Sequence, residues 1–193
     1  MSPRLRAFGC TAALSACLVG GCASWEARDD NRVSVLEQTL GKPEAFANVA
    51  LVAPPGSRHG GRVSFSQHGA IVLVRADITG LEPNRGYGLH VHERGDCLGA
   101  SAEGIGGHFN PAGRPHGRPG AEASHAGDLP NVRADGEGVV FYVFQTTALS
   151  ITGGPRSVIG RSVVLSDQPD DYRTQPDGGS GSPIACGFIR RSD

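Results

Sequence analysis

The sequence predicts an all-β protein: an antiparallel sandwich or barrel of eight short strands, interrupted by two long loops. Three observations lead there. From residue 44 onward the apolar residues alternate in short runs with almost no helical period. The runs are separated by turn signals rich in Gly, Pro, Asn and Asp. Glycine makes up 29 of the 193 residues, about double ordinary usage, and has no collagen-like period. The strands expected are Phe46–Ala53, Gly61–Gln67, Ala70–Ile78, Gly86–Glu93, Val132–Ala134, Val139–Gln145, Ser157–Leu165 and Ile184–Arg190. Between them stand Pro54-Pro55-Gly56, His68-Gly69, Pro83-Asn84-Arg85-Gly86, Asp135-Gly136 and Gly153-Gly154-Pro155, each suited to a tight turn. No internal repeat is visible. Residues 94–131 and 166–183 lack strand periodicity and are crowded with Gly, Pro, Asp and His. Loops of that length in a compact domain are usually functional.

Length and charge exclude other classes. A chain of 193 residues holds one domain of ordinary size with a small addition. A formal net charge of −1 argues against a nucleic-acid partner, which calls for a basic excess.

Residues 1–21 read as an export signal. Arg4 and Arg6 form a basic start, and Ala7 to Val19 an apolar run too short to span a bilayer comfortably. Its end, Val19-Gly20-Gly21-Cys22, resembles the lipobox of bacterial lipoproteins, in which the cysteine carries the lipid. The resemblance implies lipidation at Cys22, and a protein anchored to a membrane of the bacterial cell envelope and facing the periplasm. Residues 22–43, polar around Val33, Val35 and Leu36, are then a tether to a domain spanning 44–193. Removing the signal takes away two arginines and no acid, so the formal charge moves from −1 to −3. It also removes Cys10 and Cys17. With Cys22 lipidated, Cys97 and Cys186 remain, and an isolated pair in an oxidising compartment most simply forms one disulfide. Closing so long a loop contributes about 4–5 kcal/mol in the chain-entropy treatment.

Histidine placement carries the chemistry. His90 and His92 are two apart in a strand and leave the same face, while Tyr87, Leu89 and Val91 turn toward the core. His108, His116, His125 and Asp128 follow in the first long loop. Imidazole with carboxylate suits zinc, and imidazole-rich sites suit copper. His59 and His68, each beside a glycine with no partner nearby, read as solvated loop residues.

Several stretches together resemble the bacterial copper–zinc superoxide dismutases. They are Gly88-Leu89-His90-Val91-His92-Glu93, Gly106-Gly107-His108-Phe109-Asn110-Pro111 and His125-Ala126-Gly127-Asp128-Leu129-Pro130. Gly160-Arg161-Ser162-Val163-Val164-Leu165, Asp170-Asp171-Tyr172 and Ala185-Cys186-Gly187 fit as well, so the resemblance covers about residues 46–190. It implies a Greek-key sandwich with two metal-site loops, and conversion of superoxide to oxygen and hydrogen peroxide. His90 and His92 would hold copper, His108 would bridge copper and zinc, and His116, His125 and Asp128 would complete the zinc site. Asp170 would link a copper-ligand histidine to a zinc-ligand histidine and so fix both rings. Cys97–Cys186 would tie the first long loop to the last strand.

Two positions depart from the pattern, both in the copper half. Where the family has its fourth copper histidine this chain has Ser166, and where it has an arginine beside copper this chain has Pro183. A serine hydroxyl is a poor neutral ligand for copper. Loss of the arginine removes a cation that would attract an anionic substrate. Between them, residues 167–182 carry four Asp and one Arg. Arg114, Arg118 and Arg173 are the cations that a rearranged loop could offer instead, and Asp167 the neighbouring oxygen donor. Two functions are therefore expected to compete: a superoxide dismutase of weak or lost activity, and a zinc-stabilised metal-binding or structural domain without turnover. A zinc hydrolase ranks far behind, because three His and one Asp leave zinc no open position.

Overall fold

A computed structural model describes residues 34–97 and 102–192. The expected export signal, the motif at Cys22 and the start of the expected tether lie outside those residues; residues 34–40 are helical. No helix among the described residues is long and apolar enough to cross a membrane.

Among the described residues, nine strands form two antiparallel sheets: β1 Ala45–Leu51, β2 Gly60–His68, β3 Ile71–Thr79, β4 Gly86–His92, β5 Val132–Arg133, β6 Val140–Thr146, β7 Ser162–Ser166, β8 Pro183–Phe188 and β9 Arg190–Ser192. The sheets run β6-β3-β2-β1-β9 and β5-β4-β7-β8. β3 therefore pairs with β6, and β4 with β7, across long connections, as Greek-key topology requires. A short helix, Ala102–Ile105, lies inside the first long loop.

Side-chain alternation builds the core. In β1, Ala45, Ala47, Val49 and Leu51 point inward while Phe46, Asn48 and Ala50 are exposed. Val63, Phe65, Val74, Ala76 and Ile78 from the larger sheet meet Leu89, Val91, Val163 and Leu165 from the smaller one. Each large side chain so buried contributes about 1.5–3 kcal/mol.

The smaller sheet has no solvent face where the histidines stand. β4 buries every residue from Tyr87 to His92, and β7 buries all five of its residues. The long loops cover its outer face. Ile105, Val164, Cys186 and the half-buried Cys97 make a small apolar cluster there. Cys97 and Cys186 are disulfide-bonded, with Cα atoms 5.5 Å apart.

Three sequence expectations change. The expected strand Ser157–Leu165 begins only at Ser162: Gly160 has φ +85°, which breaks the extended run, and Ser157 makes a lone bridge to Ser150. The expected last strand divides at Ile189 into β8 and β9, and β9 crosses to pair with β1. His59 and His68 are not solvated loop residues. His59 is half-buried with Nε2 2.8 Å from Ile184 O, and His68 is buried at the end of β2 with Nε2 3.1 Å from Ser66 Oγ.

Candidate metal centre

The first long loop is stitched onto the free edge of β4 beyond its short pairing with β5. Val91 N–H donates to Gly127 O, Phe109 N–H to Val91 O, Gly127 N–H to Phe109 O and Glu93 N–H to Gly107 O, all within 2.8–2.9 Å. This lattice brings His108 level with His92, and Asp128 level with His90. Gly127 is required in it, since a Cβ there would stand 2.2 Å from Val91 O. Arg161 fastens the same layer, donating to Glu93 O at 2.8 Å with its guanidinium 3.6 Å above the Phe109 ring.

Two donor groups result, and they share one residue. His108, His116, His125 and Asp128 form one, and His90, His92 and His108 the other; in each, the candidate ligand atoms lie within 4.8 Å of one another. All six residues are buried.

In the first group three imidazoles face one carboxylate oxygen. Asp128 Oδ1 lies 2.9 Å from His108 Nδ1, 3.1 Å from His116 Nδ1 and 3.2 Å from His125 Nδ1. Ligand atoms on a zinc tetrahedron with bonds near 2.0 Å stand about 3.3 Å apart, close to this spacing. Asp128 Oδ2 is held by the backbone N–H groups of His125 at 2.8 Å and Gly117 at 3.2 Å.

Asp170 spans both groups. Its Oδ2 accepts from His90 Nε2 at 2.9 Å and its Oδ1 from His116 Nε2 at 3.0 Å. Each ring thus presents its Nδ1 lone pair inward. Asn131 clamps Asp170 twice, accepting from its N–H at 2.9 Å and donating to its carbonyl at 2.8 Å, and Asn131 N–H in turn donates to Tyr172 Oη at 2.9 Å. Gly178 lets the second loop close over this unit; a Cβ there would stand 1.9 Å from Asp170 Oδ1. His92 is fixed differently, donating from Nδ1 to Gly106 O at 2.9 Å and leaving Nε2 free.

The fit to metal rests on orphaned nitrogens. Nδ1 of His90, His116 and His125 are buried with no hydrogen-bond partner. An imidazole nitrogen stranded in that way is costly unless something else occupies its lone pair. Electrostatics keep the donors in their ligand forms. Burial pushes His90 down to about 4, against the opposing pull of Asp170, and pushes His92 down to about 3, with the His108 imidazole adding to it. His125 is lowered by burial as well. Burial would raise Asp128, but the His108 imidazole and the His125 backbone N–H outweigh it and hold the carboxyl at about 2. Asp170 is likewise lowered, its donors from His90 and Tyr172 outweighing burial. Near pH 7, His90 and His92 are therefore neutral and Asp128 is ionised, the forms that bind metal.

Ser166 and Pro183 sit together. Ser166 ends β7 opposite Gly88 of β4, and a bulge skipping Ile184 makes Pro183 its partner on β8. Both line one cleft of about 460 Å³ with His92, His108, His125 and Ser180. The charged residues lining it are Glu93 and Asp177, both acidic. None of the cations considered from sequence is among them. Arg114 donates to Glu122 O, Arg118 stacks on the Tyr172 ring at 4.8 Å and Arg173 is exposed. Asp167 does not line the cleft either; its Oδ1 accepts the Ser182 N–H at 2.7 Å.

Sequence reasoning missed Asn131, Gln175, the part played by the Tyr172 hydroxyl and the bulge at Ile184. Gln175 accepts the His116 N–H and donates to the His116 carbonyl, both at 2.9 Å, which holds the second loop to the first. A lone amide in a loop carries no spacing signal, so only the fold reveals these partners.

Comparison with known proteins agrees with the geometry. A family model described as copper/zinc superoxide dismutase matches residues 59–189. The copper–zinc superoxide dismutases 2 and 1 of Aquifex aeolicus (strain VF5) are 35% and 32% identical over 134 residues, covering 67% of this chain and 78% and 79% of theirs. That of Paramecium bursaria Chlorella virus 1 is 37% identical over 139 residues, covering 67% of this chain and 71% of its own. Among solved structures, the clock protein EA4 superposes with a TM-score of 0.69 at 36% identity, covering 78% of this chain and 96% of that one.

Proposed function

Because the chain belongs to the copper/zinc superoxide dismutase family, we propose that its centre takes zinc at His108, His116, His125 and Asp128, and copper at His90, His92 and His108. Superoxide is the substrate this family implies. Copper, when bound, supplies the one-electron chemistry of superoxide dismutation, and zinc holds the loop that carries its ligands. The chain's own residues do the rest. Asp170 orients His90 and His116 as one unit, Gly106 O orients His92, and burial keeps the His90 and His92 rings neutral so that their lone pairs are available.

Dismutation is weak or lost in this reading, and the observation that carries it is the pairing of Ser166 with Pro183 at the wall of the cleft. One strand pair thereby lacks both an imidazole and a guanidinium, while Glu93 and Asp177 repel an anion approaching the cleft. The second reading, a zinc-stabilised metal-binding or structural domain without turnover, is favoured by the closed His–Asp cluster and its clamp from Asp170. The motif at Cys22 supports a lipid anchor, with the domain facing the periplasm.

Metal analysis of the purified protein by mass spectrometry, with a dismutase assay on the same sample, tests this reading. We expect about one zinc per chain, copper well below one, and activity raised about tenfold or more in Ser166→His/Pro183→Arg, equivalent to about 1.4 kcal/mol. Full copper occupancy with reversible redox cycling in the unaltered protein overturns it.

A further inference from the structure

We infer that the cleft at Ser166 and Pro183 is a binding site for an imidazole that this chain does not supply, which enters as an additional ligand beside His92. The inference rests on the copper half proposed above and names the ligand class that this half takes.

Three observations carry it. First, the two residues that differ from the family pattern are direct partners, Ser166 on β7 and Pro183 on β8, so a hydroxymethyl group and a compact ring stand together where two long side chains are expected. Losses at separated positions would leave two small defects; losses at paired positions leave one opening. Second, that opening is part of a cleft of about 460 Å³ that reaches His92 and His108, within the range of small-molecule sites, about 300–1,000 Å³. The hydroxyl-bearing residues that line it, Ser166 and Ser180, have small side chains that take up little of that volume. Third, among the described residues the charged lining is acidic, Glu93 and Asp177, with no Lys or Arg. Carboxylates accept an N–H and repel anions. A neutral azole has a nitrogen lone pair for the metal and an N–H for a carboxylate, so it meets both demands; an anion meets only the first.

His92 completes the argument. Its ring is locked by Gly106 O and its neighbour His108 by Asp128, so neither has to move when a ligand enters. Rigid walls around an open position favour a ligand that fits it over rearrangement of the loop. The imidazole has two sources, a free small molecule or the histidine side chain of a peptide segment, and both have the same donor chemistry.

The test uses the full protein loaded with zinc and copper(II), followed by visible absorption and electron paramagnetic resonance during titration with imidazole, with N-acetylhistidine amide and with azide. Copper content is checked after gel filtration at the end of each titration. The expected result is a saturable shift of the copper spectrum with one imidazole per copper, copper retained, and a weaker response to azide. Ser166→His, which supplies the ring internally, is expected to weaken the imidazole response at least about tenfold, and Pro183→Arg, which places a long side chain over the opening, to do the same if the first variant folds poorly. A stronger response to N-acetylhistidine amide than to imidazole assigns a peptide source, and the reverse a small molecule. Copper that binds but shows no imidazole response, or an equal response in both variants, overturns this inference alone. Failure of copper to bind at all overturns both the inference and the copper half of the proposed function.

Discussion

Asp170 is the residue that both halves of the centre depend on, because one carboxylate orients His90 through Oδ2 and His116 through Oδ1. Replacing it with Asn keeps the shape but offers only one acceptor oxygen for two imidazole donors, so one ring loses its tautomer and its orientation. Partners of metal ligands of this kind are typically worth about 10–100-fold in metal affinity. Asp170→Asn is therefore expected to weaken zinc binding by that factor, as measured by competition with a chelator of known affinity. Unchanged affinity would show that the second loop orients the rings without it. The buried histidines also set the acid stability of the metal-free protein. His90 and His92 fall from about 6.5 unfolded to about 4 and about 3 folded, so between those values the unfolded chain binds more protons than the folded one. Stability is thus fully present above about pH 6.5 and is lost as the pH falls toward 3. Urea midpoints of the metal-free protein measured from pH 7 to 4 should decline over that window, and a flat profile would contradict the burial of the two rings.

At the scale of elements, the loops rather than the strands decide the site. The second loop closes only because Gly178 adopts φ +66° and brings no Cβ to the carboxylate of Asp170. Gly178→Ala combines backbone strain with a close approach, and is expected to cost about 1–3 kcal/mol and to lower zinc retention with it, read by urea denaturation with metal analysis. Wild-type stability and zinc content in this variant would show that the loop closes otherwise. The same contrast explains what the sequence could reveal. β1 to β4 were legible because alternating burial writes a period of two into the chain, and the His90–His92 pair inherits its common face from that period. His108, His125 and Asp128 were legible only as motifs, since their convergence depends on backbone bonds between Val91, Phe109 and Gly127 that leave no periodic trace. The bulge at Ile184 was illegible for a related reason: register shifts follow from three-dimensional packing, and Ser166 and Pro183 are 17 positions apart in sequence. His68 misled because a polar residue beside Gly69 looks like a turn, whereas the strand runs one residue further and buries it.

The whole molecule combines a sandwich core that needs no metal for its apolar packing with a layer of loops held by the disulfide, by Arg161 and by the His–Asp network. The larger sheet carries none of the candidate ligands. The smaller sheet presents two of them from β4 and supports the loops that bring the others. On the proposed reading, such a division lets the copper half change, through Ser166 and Pro183, while the fold and the zinc half stay intact. It also separates two properties that family membership alone would join: the capacity to hold zinc and the capacity to turn over superoxide. The measurement that separates them most directly is the rate constant for superoxide decay by pulse radiolysis, on protein whose zinc and copper content has been fixed by mass spectrometry. With both metals loaded, the expected rate constant lies far below the diffusional range, about 10⁸–10⁹ M⁻¹s⁻¹. A rate within that range would contradict that expectation.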